Sequence, residues 1–256
     1  MTNISSLPPS PVPGTSGPLI ISFSGVDGAG KSTQIEALCA SLAAAGVTVD
    51  LLRFWDDVTA LGKLREVSSH LFFKSEKGIG SPQKPVNRRD KNVQAWYMTL
   101  PRFVFYLLDA LRLKIITARL RRKSTGVVIF DRYLYDELAN LPASGLSRAY
   151  VRFLLRFGPH PRIAYLLDAD PLRARDRKPE YPLDFIQKNR AAYLNLSALA
   201  NMTVVSPGTV EEVAARIRQE VFAHCGKFCE AQNALTDPKK SAKPEVREIL
   251  SSQLQA

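Results

Sequence analysis

The sequence predicts an α/β fold in which helices cover both faces of a five-stranded parallel sheet. Short apolar runs alternate with longer stretches of helical periodicity, the pattern of parallel strands joined by crossover helices. The first run, LIISFS at residues 19–24, is short, apolar and β-branched, and runs of this kind are typical of strands buried on both faces. The predicted strands are residues 19–24, 47–54, 126–131, 162–168 and 202–206, and the predicted helices are 31–45, 60–73, 94–122, 145–157, 184–199 and 209–223.

The domain organisation follows from composition. Residues 1–18 are rich in Pro, Ser, Gly and Thr and predict a flexible arm. Residues 19–224 form the predicted folded domain, and the polar stretch 225–256 is a predicted tail. Residues 74–92 are polar and predict a long loop, whose role the sequence leaves open.

The bulk composition suits one folded domain that handles anions. The chain has 256 residues, 45% of them apolar, which is enough for a sizeable core. Its formal net charge of +11 suits a nucleic acid, an anionic surface or a small polyanion such as a nucleotide as partner, although basic tails without a specific partner are also common. No nucleic-acid-binding motif is present, which argues against DNA or RNA as the main partner.

The sequence also predicts a cytoplasmic compartment. Three sparse cysteines, Cys39, Cys225 and Cys229, do not make a disulfide framework and favour a reducing environment. The first residues lack the basic start and apolar run of a secretory signal. No apolar stretch is long enough for a membrane span, so no membrane association is expected.

The strongest motif lies between the first predicted strand and the first predicted helix. Residues 25–32, GVDGAGKS, fit the phosphate-binding loop G-x-x-x-x-G-K-[ST]. Its glycines let backbone N–H groups point into one concavity, and the helix N-terminus adds a positive dipole end. Lys31 can span the β- and γ-phosphates of a triphosphate, and the Ser32 hydroxyl suits Mg²⁺. The predicted triphosphate-binding residues are Gly25, Gly28, Ala29, Gly30, Lys31, Ser32 and Thr33.

A second phosphate-binding centre is predicted at the end of the third strand. Ligands of open α/β sheets bind at the carboxyl ends of the strands. There Asp131 is placed to hold Mg²⁺, and Arg132 to fork onto a phosphate, although an ordinary strand-to-loop ion pair is the alternative. Arg53 ends the second strand and would face the same crevice, although a surface arginine is the usual interpretation.

A basic segment follows the fourth strand. Arg173, Arg175, Arg177 and Lys178 form either a solvated helix face or a lid, at about residues 171–182, that closes over a transferring phosphoryl group. We favour the lid, because two phosphate-binding features precede it in the chain.

Taken together, these segments resemble the thymidylate kinase family. ISFSGVDGAGKSTQ resembles its first strand and phosphate-binding loop, LLRFWDDVTALGKLRE its second-strand segment, and VVIFDRY its Asp-Arg-Tyr segment. IAYLLDADPLRARDR resembles its fourth strand and lid, EYPLDFIQKNRAAYLNLS the helix after the lid, and TVEEVAARIRQEV the last helix. The match covers about residues 19–223.

The resemblance implies a three-layer P-loop kinase fold and transfer of the ATP γ-phosphoryl group to a deoxynucleoside monophosphate, dTMP above all, with Mg²⁺. It implies that Arg53 and Arg132 clamp the acceptor phosphate and that Asp27 meets the acceptor sugar or orders the site. Because Gly28 adds no charge to the loop, the lid arginines are expected to supply the catalytic charge. The remaining implications are acceptor contacts from Tyr106 and Tyr133 and a homodimer formed through helices.

The chain departs from the family pattern around the base rather than around the phosphates. Trp55 stands where the family usually has proline, and Ala110 where it has a base-holding arginine. A nucleoside or another phosphorylated metabolite therefore stays open as the acceptor. An ATP-binding regulator with a basic partner surface is a further alternative.

Overall fold

The computed structural model describes residues 17–59, 96–123, 126–141, 145–233 and 246–248. The predicted helix 60–73, the predicted loop 74–92 and nearly all of the predicted arm 1–18 lie outside these residues. Among the described helices, none is both long and apolar enough to cross a membrane.

The described strands form one sheet in which every neighbouring pair is parallel. The strands are β1 (Leu19–Ser24), β2 (Val49–Arg53), β3 (Val127–Asp131), β4 (Ile163–Leu167), β5 (Thr203–Val205) and β6 (Val246–Glu248). Their order across the sheet is β5-β4-β1-β3-β2-β6, so β1 lies between β4 and β3. The predicted α/β class and the five predicted parallel strands are therefore confirmed, with a short sixth strand at the β2 edge.

Helices cover both faces of the sheet. They are α1 (Lys31–Ala44), α2 (Trp96–Lys123), α3 (Leu134–Leu138), α4 (Gly145–Phe157), α5 (Pro171–Arg177), α6 (Leu183–Ala200) and α7 (Val210–Asn233), and a π-helical turn (Phe54–Val58) follows β2. One apolar core joins one face of the sheet to α2, α3, α4 and α6, and the other core joins the opposite face to α1 and α7. This division arises because successive strand residues point to opposite faces.

Two differences from the predicted boundaries lie near the C-terminus. The last helix runs to Asn233, ten residues beyond the predicted end at 223. Residues 246–248, within the predicted polar tail, add a strand beside β2. The polar composition of this region indicated a loose tail. An edge strand, however, can form wherever the neighbouring strand presents unpaired backbone N–H and C=O groups.

The strand order creates a crevice at the carboxyl edge of the sheet. The chain leaves β1, passes over the position of β3 to form β2, and returns to form β3 between them. Ligands of open α/β sheets bind where the strand order reverses in this way. In the register of the sheet, Asp131 lies level with Phe23 on one side and with Arg53 on the other. The predicted phosphate-binding residues at the ends of β2 and β3 are thus neighbours.

Candidate active site

The phosphate-binding loop packs tightly against the neighbouring elements. Gly25 and Gly28 have φ values of +143° and +84°. A Cβ atom on Gly25 would lie 2.6 Å from the carbonyl oxygen of Leu167, and one on Gly28 would lie 2.2 Å from that of Ala174. The loop therefore touches the end of β4 and the backbone of α5, and glycine is needed for both conformation and space.

We expect Gly28→Ala to weaken ATP binding at least about tenfold, because the new methyl group must push the loop away from α5 and a positive φ costs alanine about 1–2 kcal/mol. Titration calorimetry with ATP, together with thermal melting, measures the effect. Gly46→Ala is the matched control, since Gly46 has φ +77° but no atom within 4 Å of its added Cβ. Equal losses in both variants would contradict the packing argument.

Lys31 is held against the loop that precedes it. Its side chain is buried, and Nζ donates hydrogen bonds of 2.8 Å to the carbonyl oxygens of Gly25 and Val26. Burial, together with the nearby charge of Arg132, lowers the pKa of Lys31 to about 8. Ser32, in the first turn of α1, is exposed. The ammonium group thus sits at the floor of the loop, where a triphosphate would approach.

Arg132 links the loop to the end of β3. Its backbone has φ +69°, and its N–H donates to the carbonyl oxygen of Phe23 at 2.9 Å. The guanidinium hydrogen-bonds to the carboxylates of Asp27 and Asp136, with 3.2 Å between Nη1 and Asp136 Oδ1. Two carboxylates therefore fix one guanidinium between the loop and α3, and an unusual backbone conformation is maintained at this point.

Asp136 is a site residue that the sequence analysis missed. Its side chain is buried, and it accepts hydrogen bonds from Ser24 Oγ (2.6 Å), Tyr193 Oη (2.8 Å) and the backbone N–H of Tyr133 (3.0 Å), besides the bond from Arg132. These donors satisfy the hydrogen-bonding capacity of the buried carboxylate and fix its position. The only sequence signal is an acidic residue in the first turn of a helix, which many surface helices share.

Arg53 and Asp131 lie at the same edge, beside Arg132. Arg53 is exposed, and its backbone N–H donates to Asp57 Oδ2 at 2.7 Å. Asp131 is half-buried, and burial raises the pKa of its carboxyl against the opposing charges of Arg132, Lys31 and Arg53. The structure thus brings the predicted cations and the predicted metal-binding carboxylate into one electrostatic cluster.

The basic segment after β4 begins as a short helix over the loop. Asp170 caps α5, since its Oδ1 accepts from the N–H groups of Leu172 and Arg173. Arg177 Nη1 donates to the carbonyl oxygen of Gly28 at 3.3 Å. Arg173 is exposed and Arg175 is half-buried. Of the three predicted lid arginines, Arg177 is the one with a recorded hydrogen bond to the phosphate-binding loop.

A cavity of about 430 Å³ opens beside these residues. It lies between the phosphate-binding loop, the end of β3, the segment after α5, and α6. Its lining consists of Gly25, Val26, Asp27, Trp55, Arg132, Asp136, Asn140, Lys178, Glu180, Tyr181, Phe185, Ile186, Asn189 and Tyr193. The volume suits a nucleotide-sized ligand.

Of the residues that were predicted to contact the acceptor, Arg132 lines this cavity, whereas Arg53, Tyr106 and Tyr133 do not. Tyr133 is 1% exposed, and its hydroxyl donates to the carbonyl oxygen of Pro159 at 2.8 Å, so the ring belongs to the core. Tyr106 is half-buried and packs against the same core. Ala110 is fully buried. The helical spacing of Tyr106 and Ala110 on α2 could not distinguish a core face from a pocket face.

Curated proteins of known name resemble the chain over most of its length. A thymidylate kinase of Bifidobacterium longum is 33% identical over 193 residues, which cover 70% of this chain and 84% of that protein. A probable thymidylate kinase of Methanocaldococcus jannaschii is 27% identical, with 80% of this chain and 95% of that protein covered. A thymidylate kinase of Pelodictyon phaeoclathratiforme is 25% identical, with 82% and 96% covered.

No protein-family model matches the chain. The Bifidobacterium relative nevertheless shares a third of its aligned residues across most of its length, and the other relatives align over nearly all of theirs. This chain therefore belongs to the thymidylate kinase family, as a divergent member.

Proposed function

We propose that the chain transfers the γ-phosphoryl group of ATP to a nucleoside monophosphate, with dTMP as the leading acceptor. The observation that supports this most directly is Arg132, which two carboxylates hold at the wall of a nucleotide-sized cavity beside Lys31. A fixed guanidinium suits the dianionic phosphate of an acceptor. The names of the curated relatives support the same reaction.

In this proposal, one set of residues binds the phosphoryl donor and another binds the acceptor. The amides of the phosphate-binding loop and Lys31 would bind the triphosphate of ATP, and Arg132 with Arg53 would bind the acceptor phosphate. An acceptor phosphate oxygen then forms a bond to the γ-phosphorus, and the bond from that phosphorus to the ADP oxygen breaks. Because the attacking oxygen carries no proton, the protein contributes positioning and positive charge rather than a general base.

We propose that Mg²⁺ takes protein ligands from the start of α1 and the end of β3. The exposed Ser32 hydroxyl and the Asp131 carboxyl are hard donors of the kind that Mg²⁺ prefers, so the residues present fit the ion. Bound there, Mg²⁺ would offset the negative charge of the phosphates. Arg177, next to the carbonyl group of Gly28, would add positive charge from the lid side.

A second acceptor class is favoured by the position of α2. Tyr106 and Ala110, at the places where the resemblance implies base recognition, lie outside the cavity. An acceptor with a different base, or another phosphorylated metabolite, would therefore meet different side chains from those of the family pattern.

The reaction is tested by measuring ADP formation with ATP, Mg²⁺ and a panel of acceptors, with mass spectrometry of the products. We expect dTMP or another nucleoside monophosphate to stimulate ADP release and to gain one phosphate. If no acceptor stimulates ADP release above the rate with water, the proposal is wrong. If unphosphorylated nucleosides are preferred, Arg132 does not bind an acceptor phosphate.

We also propose a homodimer formed through α2, whose outer face carries exposed apolar side chains. These are Val104, Leu107, Leu111 and Ile115. Their spacing places them along one side of the helix, and a contiguous apolar stripe of this kind suits an interface between two copies.

We expect Leu111→Glu to convert the dimer to a monomer in light scattering after size exclusion. Val210→Glu, which alters an equally exposed residue on α7, should leave the dimer intact.

A further inference from the structure

The lining of the cavity combines two chemistries. One part is ionic and consists of Asp27, Arg132 and Asp136. Another part is aromatic and consists of Trp55, which follows β2, together with Tyr181 and Phe185, whose rings stack with centroids 5.0 Å apart. A site with a fixed guanidinium and several flat rings matches a ligand that has a phosphate and a planar base.

Trp55 has the most unusual environment of these aromatic residues. Its neighbour Phe54 is fully buried, whereas Trp55 is 42% exposed. Tryptophan offers a large apolar surface that is normally buried in a core or used in binding. Here the exposed indole lines a concave wall, where a ligand can cover it.

The backbone that presents Trp55 is held rigidly. The π-helical turn is closed by hydrogen bonds from Thr59 to the carbonyl oxygens of Phe54 (3.0 Å) and Trp55 (2.6 Å). Arg112, on α2, donates to the carbonyl oxygens of Thr59 (3.1 Å) and Asp57 (3.3 Å). Single π-helical turns occur frequently at functional sites. The Arg112 guanidinium thus supports the turn by bonding to the turn's backbone carbonyl groups. The indole of Trp55 takes no part in these bonds and lines the cavity.

The ring of Phe54 fixes the indole from one side. The two ring centroids are 5.4 Å apart, with an interplanar angle of 81°. This edge-to-face contact orients Trp55 without covering it, since its exposure remains high. A ring that is oriented in advance loses little entropy when a ligand stacks on it.

Trp55 also lies next to the phosphate-binding residues. It follows Arg53 by two positions in the chain. Arg53 lies level with Asp131 in the sheet, and Asp131 directly precedes Arg132. The indole and the Arg132 guanidinium line the same cavity. Tyr106, the aromatic residue of α2 that was expected to contact the acceptor, does not line it.

We propose that the indole of Trp55 stacks on the base of the phosphorylated acceptor and that this residue contributes to the choice of acceptor. The inference rests on the proposed function, because it assigns the acceptor phosphate to Arg132. It goes beyond that function by giving the base-binding role to the turn after β2 instead of to α2. The ligand class is a planar heteroaromatic base joined through a sugar to a phosphate.

Tryptophan fluorescence tests the contact directly. The variant Trp96→Phe leaves Trp55 as the chain's remaining tryptophan. We expect dTMP to quench its emission, because stacked bases quench indole, and ribose 5-phosphate, which has no base, to leave it unchanged. ATP alone is also expected to leave it unchanged. Calorimetry with the same protein reports binding of each ligand independently of fluorescence.

The kinetic test uses three variants. We expect Trp55→Leu to raise the KM for the monophosphate by about 5- to 100-fold, the usual range for one lost stacking contact, with kcat and ATP affinity unchanged. Trp55→Phe should keep most of the affinity. Phe153→Leu is the matched control, because Phe153 is 49% exposed on α4 but lies outside the cavity lining.

The outcomes separate this inference from the proposed function. If dTMP binds in calorimetry and is phosphorylated, yet Trp55 is not quenched and Trp55→Leu keeps the wild-type KM, the stacking role is wrong and the kinase function stands. Quenching by ATP alone would assign the ring to the donor and overturn the inference. If no monophosphate binds or is phosphorylated, the proposed function itself is wrong.

Discussion

Arg132→Met is expected to lower kcat/KM for the phosphorylated acceptor by about 10³-fold, a loss comparable to that of other arginines that stabilise a transferring phosphoryl group. Arg132 is held by Asp27 and Asp136, so its geometry is set before any ligand arrives. Its removal also leaves two carboxylates that repel the acceptor phosphate. Steady-state kinetics with ATP and dTMP, each varied in turn, measure the change. We expect it in the kcat/KM for dTMP, the acceptor.

The control for this variant is Arg119→Met, since Arg119 is exposed on α2, away from the cavity. It removes the same charge and should keep wild-type kinetics. Thermal melting shows whether Arg132→Met remains folded. A folded Arg132→Met enzyme with more than about a tenth of the wild-type kcat/KM would be incompatible with the role given to Arg132, because one phosphate-binding arginine contributes far more than tenfold.

Lys31→Met is expected to lower kcat by about 10²- to 10³-fold, which is the usual loss for one preorganised charged donor in a water-poor site. In the structure, Nζ donates to Gly25 and Val26 at the floor of the loop. A triphosphate offers this ammonium stronger acceptors than two carbonyl oxygens. Rapid-quench measurement of the transfer step checks the prediction, and a folded variant that keeps wild-type turnover would contradict it.

The pKa of Lys31 adds a dependence on pH to ATP binding. Burial lowers this pKa to about 8, so the free enzyme loses the proton as the pH rises through that value. Bound phosphates favour the charged ammonium and raise the pKa again. ATP binding above pH 8 should therefore take up a proton, and the affinity should fall as the pH rises further. Calorimetry in two buffers of different ionisation enthalpy measures this uptake, which should be smaller at pH 7.

The absence of proton uptake at pH 8.5 would show that Lys31 is already charged in the free enzyme. The Lys31→Met variant provides the reference, since its residual ATP binding should show no uptake near pH 8.5. ATP itself does not interfere at this pH, because a terminal phosphate has lost its proton well below pH 8.

Local patterns were sufficient for the strands and for the phosphate-binding loop. The run at Leu19–Ser24 is buried at every position, as a short apolar run that directly precedes a glycine-rich turn indicates. The glycine spacing placed Lys31 at the start of a helix, because the motif combines a turn and a helix N-terminus in adjacent residues. Arg132 was found because it directly follows a strand, and a strand end has a known position in a parallel sheet.

Contacts between distant segments were beyond the reach of the sequence. The bond between Ser24 and Asp136 joins residues 112 positions apart, and the bond between Arg132 and Asp27 joins residues 105 positions apart. The resemblance to the family's Asp-Arg-Tyr segment implied that Tyr133 contacts the substrate, but adjacent residues can point in opposite directions. Tyr133 entered the core, while Trp55, noted only as a departure from proline, came to line the cavity.

The sequence by itself determined the parallel α/β sheet, the triphosphate-binding loop and the arginine at the end of β3, since each depends on a period or a motif within a few consecutive residues. Only the tertiary structure decided which side chains share the cavity beside Arg132. That choice depends on how α2 and α6 pack on the sheet and on which carboxylates reach the Arg132 guanidinium. Packing joins residues that no local spacing relates, and so the aromatic lining of the cavity could be seen only in the fold.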